Sequence, residues 1–234
     1  MVSGVTRIML TGMSLHDVDF NLDLARSHPE QCFVTVGVHP YHALEPNEDP
    51  DYLAKMARVV QDLLKEDQTP LAAFGELGLD YDHLAKASKE AQISAFKAQL
   101  NLFVEHRLDL PLFLHCRAAF DDFVTVIKPY LAKLPHRGLV HSFVGPKFQM
   151  EALIEMGFDV SVNGFSFKDE ESLEMVKAIP LDRLQLETDA PWGEIPANSD
   201  VAKNYLKNAP PMPPGRRRTS LRWVIWSRSE TRAV

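Results

Sequence analysis

The sequence predicts an α/β fold built on a parallel sheet, and two patterns support this class. Short runs rich in β-branched and aromatic residues alternate with longer segments whose apolar residues recur at helical spacing. Some short runs, such as LPLFL at 110–114, are apolar throughout, which is typical of strands covered on both faces. Two architectures fit, an open doubly wound sheet and a TIM-type (β/α)₈ barrel.

Seven strand-like runs follow one another along the chain. They lie at 7–12, 33–38, 71–79, 110–115, 138–143, 158–163 and 184–188. This is one strand fewer than a closed barrel of eight contains. The glycine motifs of dinucleotide-binding and P-loop folds are absent from the sequence, which disfavours the nucleotide-binding versions of the doubly wound sheet.

Three of the intervening segments present one apolar helical face each. The faces comprise Leu53, Met56, Val60, Leu63 and Leu64; Ile93, Phe96, Leu100, Phe103 and Val104; and Phe120, Phe123, Val124, Ile127 and Leu131. Capping signals agree with helices between the strands. Ser14 with Asp17 predicts an N-terminal cap, Pro146 suits a first turn, and Gly157 suits a C-terminal cap.

Composition narrows the function classes. The chain has 234 residues, 45% of them hydrophobic, which is enough for one sizeable core. A net charge of −7 argues against a protein that coats nucleic acid or anionic membrane through a basic surface, but it leaves a metal-assisted site open. Two cysteines are too few for a disulfide framework and predict a reducing compartment, which we take to be the cytoplasm, with the nucleus as a second location. The sequence has no long apolar run, so we expect no association with a membrane. We also expect no obligate protein partner.

Five of the strand-like runs end in a histidine or a carboxylate. These residues are His39, Glu76, His115, His141 and Asp189. The carboxyl ends of parallel strands meet at one rim, so we expect these side chains to converge. Buried imidazoles and carboxylates are costly without compensation, and a metal ion supplies it.

Four of these residues form the predicted metal-ligand set: Glu76, His115, His141 and Asp189. Imidazole and carboxylate donors suit Zn²⁺, Mn²⁺, Fe²⁺ or Mg²⁺. Such an ion activates water, so hydrolysis is the predicted reaction class. Asp189 is the predicted catalytic base, and a helix N-cap before Ala190-Pro191 is its alternative role.

Side chains two positions apart on a strand lie on the same face of the sheet, which indicates which neighbours of the predicted ligands face the site. Arg117 shares a face with His115, which makes it a phosphate or carboxylate clamp, with a surface ion pair as the equally open alternative. Cys116 points away and is a packing residue. We expect His39 to contact substrate rather than a second metal ion.

Two carboxylates are predicted to support the ligands by hydrogen bonds. Glu187 shares a face with Asp189, and Asp80 follows a turn after the third run. Asp80 has an alternative role in capping its own turn.

The strand-end motifs together resemble the TatD family of metal-dependent hydrolases, especially its eukaryotic branch, within the amidohydrolase superfamily. The motifs are GVHP at 37–40, GELGLDY at 75–81, LHCR at 114–117, HSF at 141–143 and ETDAPW at 187–192. The resemblance implies a (β/α)₈ barrel with one or two divalent ions, Mg²⁺, Mn²⁺ or Zn²⁺. It also implies deoxyribonuclease activity, often 3′→5′ on DNA, with Glu76, His115, His141 and Asp189 on the metal. Two alternatives are hydrolysis of a C–N or ester bond and an inactive truncated product.

The resemblance has two departures. The family's opening strand carries an Asp-x-His-x-His element, and none precedes Arg7, so we expect the barrel to lack its first strand and to bind metal less tightly. We assign 1–193 to the hydrolase barrel and 194–234 to a Pro/Arg-rich, disordered tail. Residues 216–234 carry +5 against −12 before them. A frame-shifted origin of this tail and a phosphate-binding or nuclear-import role for its arginines are rival hypotheses.

Overall fold

A computed structural model of the chain describes residues 6–189, 192–193 and 200–205, with seven parallel strands in one sheet. The strands are β1 (Ile8–Leu10), β2 (Cys32–Val36), β3 (Leu71–Asp80), β4 (Leu112–Arg117), β5 (Gly138–Val140), β6 (Asp159–Val162) and β7 (Leu184–Leu186). Their order in the sheet is their order in the chain, and each neighbouring pair is parallel. This order excludes a doubly wound sheet, whose strand order reverses at a switch point, and confirms the barrel-type α/β prediction with its seven strands.

The sheet curls around a small apolar interior. Met9 of β1, Ala73 of β3, Phe113 of β4 and Leu139 of β5 pack together inside the curve. The opposite face carries the large core beneath the helices, including Phe74 and Val140 from neighbouring positions. Among the described residues, β1 and β7 each pair with a strand on one side only.

Helices alternate with the strands as predicted. They are α1 (Leu15–Ser27), α2 (Glu45–Glu48), α3 (Tyr52–Leu64), α4 (Lys89–Glu105), α5 (Phe120–Ile127), α6 (Lys147–Glu155), α7 (Glu170–Ala178) and α8 (Asp200–Tyr205). The predicted apolar faces are confirmed at their centres, where Met56, Phe96 and Phe123 are fully buried. In the described part of the chain, none of these helices combines the length and the apolar composition needed to cross a bilayer.

The helix ends lie at the predicted capping residues, but the predicted side-chain cap of Ser14 does not form. Ser14 occupies the position before α1, but its hydroxyl makes no capping bond, and the Asp17 carboxylate instead accepts a hydrogen bond from the Met13 N–H at 3.2 Å. Pro146 directly precedes α6. Gly157 follows that helix with a φ of +90°, the left-handed conformation typical of a glycine C-terminal cap.

A bulge in β3 sets the direction of the side chains at its end. Gly75 pairs with Phe113 and Leu77 with Leu114, so Glu76 is an extra residue in the ladder. Leu77 packs under the helices, and the alternation therefore turns Glu76 toward the sheet interior. The strands run close together here, since a Cβ on Gly78, whose φ is +149°, would clash with the His115 carbonyl oxygen of β4.

The predicted tail falls mainly outside the described residues. Only Trp192, Gly193 and the six residues of α8 are described after Asp189, and α8 is helical where a disordered tail was predicted. The arginine cluster at 216–218 and the predicted boundary at 193/194 stay predictions.

Candidate metal centre

The centre lies where the carboxyl ends of β2 to β5 meet, and it is organised around one oxygen atom. Glu76 Oε1 lies 3.3 Å from His39 Nε2, 2.8 Å from His115 Nδ1 and 2.6 Å from His141 Nε2. The Glu76 carboxylate, His39 and His141 are buried, and His115 is 15% exposed. Strands far apart in the chain therefore deliver three imidazoles to a single carboxylate.

The ionisation of the centre is strongly perturbed. Burial alone would raise the pKa of Glu76, but the charges of His141 and His39 and hydrogen bonds from His115 and His141 outweigh it and hold the pKa well below its usual range. Burial disfavours the imidazolium of His141, yet the charges of Glu76 and Glu187 raise its pKa well above the usual value. A protonated imidazole thus compensates the buried carboxylate when no other cation does.

The pKa values of the two remaining imidazoles, His39 and His115, shift in opposite directions. Burial lowers the pKa of His39 despite its contact with Glu76. Burial also opposes protonation of His115, but hydrogen bonds to Asp80 and Glu76 raise its pKa overall. The ring of His39 packs edge to face against that of His115, with 4.8 Å between the centroids, so each ring restricts the orientation of the other.

The donor atoms fit a divalent cation. Ligand atoms of His39, Glu76 and His115 lie within 4.8 Å of one another. His141 reaches the same Glu76 oxygen through Nε2, while its buried Nδ1 has no hydrogen-bond partner in the described part of the chain and lies 3.5 Å from Glu187 Oε1. Imidazole nitrogens with one carboxylate oxygen are the donors that Zn²⁺ and Mn²⁺ accept.

Asp80 lies directly behind His115. Its Oδ2 is 3.2 Å from His115 Nε2, and both carboxylate oxygens are 3.0 Å from His83 Nδ1. Burial would raise the pKa of Asp80, but these two histidines hold it far below its usual value. The carboxylate also accepts the Asp82 N–H at 3.0 Å, so the supporting and turn-capping contacts both exist.

Glu187 lies behind His141 in a second polar network. Its Oε2 accepts the Ser161 hydroxyl at 2.8 Å, and its Oε1 accepts the Asn163 side-chain N–H at 3.0 Å. The same Asn163 amide donates to the Ser142 hydroxyl at 2.7 Å. The ends of β5 and β6 are therefore tied to the carboxylate that faces His141.

Asp189 follows β7 in a left-handed conformation, with a φ of +45°. Its carbonyl accepts the N–H groups of Trp192 and Gly193 at 2.7 and 3.1 Å, which closes a turn. Burial, with the charges of Glu187 and Glu76, raises the pKa of its carboxyl to about 6 against the opposing effect of His141. Its carboxylate is not among the donors grouped within 4.8 Å around Glu76.

Arg117 lies at the rim, on the same face of β4 as His115. Its Nε donates to Asp82 Oδ2 at 2.7 Å, and 38% of the side chain is exposed. Its guanidinium carbon lies 6.0 Å from the centroid of the Phe165 ring. Cys116, as predicted, packs against the core on the other face.

The sequence interpretation missed several polar residues that hold this site. Gln92 and Gln99 on α4 are buried, and their amides bond the main chain at Asp80 and Val38. Their spacing of seven residues on an apolar helix face is a signal that could have revealed them. Asn163 lies at the end of the sixth strand-like run, and its polar side chain at a strand end is the corresponding signal.

The chain is similar to one family of nucleases in both sequence and structure. The family described as TatD related DNase matches residues 2–212. "Deoxyribonuclease Tat-D" of Schizosaccharomyces pombe is 43% identical over 213 residues, which cover 89% of this chain and 66% of the relative, just under two thirds of its length. "3'-5' ssDNA/RNA exonuclease TatD" of Erwinia tasmaniensis is 37% identical, covering 81% of this chain and 70% of the relative. The crystal structure of an uncharacterized amidohydrolase from Saccharomyces cerevisiae superposes with a TM-score of 0.77 at 29% identity, covering 83% of this chain and 67% of that one.

Proposed function

This chain belongs to the TatD related DNase family, and from that membership we propose that it is a metal-dependent hydrolase of DNA phosphodiester bonds, acting as an exonuclease. One observation supports the proposal above others. Three imidazole nitrogens surround a single buried carboxylate oxygen, an arrangement that is costly without a cation. The names of the two relatives support nucleic acid as the substrate.

The residues around Glu76 would hold one divalent ion, or two with Asp189. His39, His115 and His141 supply the nitrogens, which assigns His39 to the metal as well as to the substrate side. When bound, Mg²⁺, Mn²⁺ or Zn²⁺ would polarise a phosphoryl oxygen and make water acidic enough to attack at neutral pH.

The other roles belong to the protein's own side chains. The Asp189 carboxylate accepts a proton from the attacking water. In the metal-free chain, burial raises the pKa of this carboxyl to about 6, so it is mostly ionised at neutral pH. Arg117 binds the phosphate through its terminal amino groups, because among the described residues only its Nε has a hydrogen-bond partner. Asp80 and Glu187 keep His115 and His141 oriented.

A cleavage assay with metal titration tests this function. We expect the chain to shorten a 5′-labelled single-stranded DNA with Mg²⁺ or Mn²⁺ and to stop when EDTA is added. Glu76→Gln should lower the rate by about 10³-fold or more, since it removes the charge on which the imidazoles converge. Glu174→Gln, an exposed change beside Lys177, is the matched control and should be neutral.

Small amide and ester substrates belong in the same assay. Turnover of these with no shortening of DNA would overturn the nuclease proposal and favour C–N or ester hydrolysis on the same scaffold. Full DNA cleavage by the folded Glu76→Gln variant would instead refute the assignment of the centre.

A further inference from the structure

A groove of about 570 Å³ opens beside the metal centre, between the ends of β4, β5 and β6. We refer to it as the rim groove; Arg117, Phe165 and Lys168 line it together with Asp82, Asp169 and Glu171. Its volume is in the range that small ligands occupy in proteins. Arg117 connects it to the centre, because His115 lies two residues earlier on the same face of β4.

The Phe165 ring is presented on a rigid support. Asn163 caps the turn Gly164–Phe167 by accepting the Phe165 N–H at 2.9 Å, and the Ser166 hydroxyl donates to the Phe143 carbonyl at 2.8 Å. The same Asn163 amide bonds Glu187, which faces His141. The main chain that carries the Phe165 ring is therefore held by the network that supports the metal centre.

The charges of the groove favour a neutral, flat group flanked by few phosphates. Asp82 is bonded to Arg117, and Asp169 caps α7 through the Ser172 N–H and hydroxyl at 2.9 and 2.6 Å. Lys168 is exposed and forms no ion pair within the described residues. With three carboxylates and two cations in its lining, the groove suits a base better than a run of phosphates.

We propose that the rim groove is a base-binding subsite, in which one nucleobase of the substrate strand stacks on Phe165 beside the Arg117 guanidinium, while Lys168 contacts a neighbouring phosphate. This inference rests on the proposed nuclease function and favours an unpaired strand, because the interior bases of a duplex are covered on both faces by their neighbours. Stacking on an aromatic side chain tolerates any base, so the subsite binds without sequence preference.

Binding measured without turnover tests the subsite separately from the activity. The probe is a 5′-fluorescein single-stranded DNA octamer, titrated in EDTA and followed by fluorescence anisotropy. Phe165→Leu should weaken binding about 10-fold, which corresponds to about 1.4 kcal/mol and lies within the range for base–aromatic stacking. Phe165→Trp should bind like the original chain. Phe148→Leu removes an exposed ring of α6 outside the groove and should have no effect.

A ladder of octamers, each with one abasic position, locates the stacked base. At one position, the abasic octamer should bind the original chain and Phe165→Leu equally, because the missing base and the missing ring are the same interaction. Melting temperatures show whether each variant is folded. Equal octamer binding by the original chain and Phe165→Leu, or no binding by the original chain, would overturn the subsite.

The two proposals fail in different ways. Binding that depends on Phe165, without DNA cleavage in any metal, would leave the subsite and refute the nuclease. Metal-dependent cleavage, together with DNA binding that is unchanged by Phe165→Leu, would leave the nuclease proposal and refute the subsite.

Discussion

At the scale of single residues, the defining feature is one buried carboxylate that is contacted by three imidazoles. Glu76 is buried and faces three imidazoles through one oxygen, and two of those imidazoles, His115 and His141, have raised pKa values. In the metal-free chain, protons on these histidines balance the buried charge. A divalent ion would have to displace them, so metal binding and protonation should compete.

This competition predicts a pH dependence of the free energy of unfolding. Groups with a raised folded pKa, His115 and His141, stabilise the fold below the ordinary histidine pKa of about 6.5 and lose that contribution as pH rises through their folded pKa values. Glu76, with its lowered pKa, is already ionised in this window. Asp189, with a raised pKa of about 6, completes its ionisation at the start of the window and adds to the loss of stability. His39, whose pKa is lowered, acts in the opposite direction, but only until the unfolded histidine has lost its proton. The metal-free chain should therefore become less stable as pH rises above about 6.5, as measured by urea unfolding.

Two experiments test whether the histidines cause this loss of stability. Saturating Mn²⁺ should reduce or remove the alkaline loss, and His141→Gln should diminish it. His136→Gln, which alters an exposed histidine paired with Asp109, should retain it. Stability of the metal-free chain that is constant or rising over this range would contradict the prediction.

At the scale of elements, helix α4 holds the ends of two strands. Gln99 accepts the Val38 N–H at 2.7 Å and donates to the Val38 carbonyl at 3.0 Å. Seven residues earlier, Gln92 makes the same pair of bonds to the main chain of Asp80, at 2.8 and 2.9 Å. Each amide pairs both main-chain groups of one residue, so α4 fixes the positions from which His39 and Asp80 enter the centre.

Gln99→Leu should be strongly destabilising for that reason. It leaves a buried N–H and a buried C=O of Val38 unpaired, each at about 1–3 kcal/mol, so we expect a loss of about 2–6 kcal/mol in urea unfolding. The matched control is Gln61→Leu, at the partly exposed Gln61 of α3 that bonds His106, and it should change stability by about 0.5 kcal/mol or less. Equal stability of the two variants would show that the buried amide is dispensable.

At the scale of the whole molecule, the sheet has a well-covered centre and two less protected margins. The β3–β4 pair is the longest ladder, and Leu77 and Leu79 of β3 are completely buried. Among the described residues, β1 and β7 pair on one side only, and Leu186 of β7 is 62% exposed. Sub-global opening should therefore begin at the margins.

Hydrogen exchange measured by mass spectrometry checks this gradient. Amides of β1 and β7 should exchange about tenfold or more faster than those of β3 and β4, because fewer buried contacts must break to expose them. The β2 and β6 amides should fall between these limits and act as internal references. Uniform protection from β1 to β7 would contradict the prediction.

The sequence by itself determined the elements and predicted most residues of the candidate centre. Apolar runs specified all seven strands, and helical spacing specified the faces of α3, α4 and α5, because both signals depend on which side chains must leave water over a few neighbouring positions. Chemistry at the strand ends pointed to Glu76, His115 and His141, since parallel strands finish at one rim.

Only the tertiary structure decided how those residues meet. Local patterns did not reveal the bulge at Glu76 or the burial of His39 against it. A surface ion pair of Arg117 was one of two predicted roles, but its partner Asp82 was not identified. The bond between His141 and Glu76 spans 65 positions of the chain. Such contacts depend on the register between strands and on the curl of the sheet, which are set by packing across the whole molecule rather than by the periodicity of any one segment.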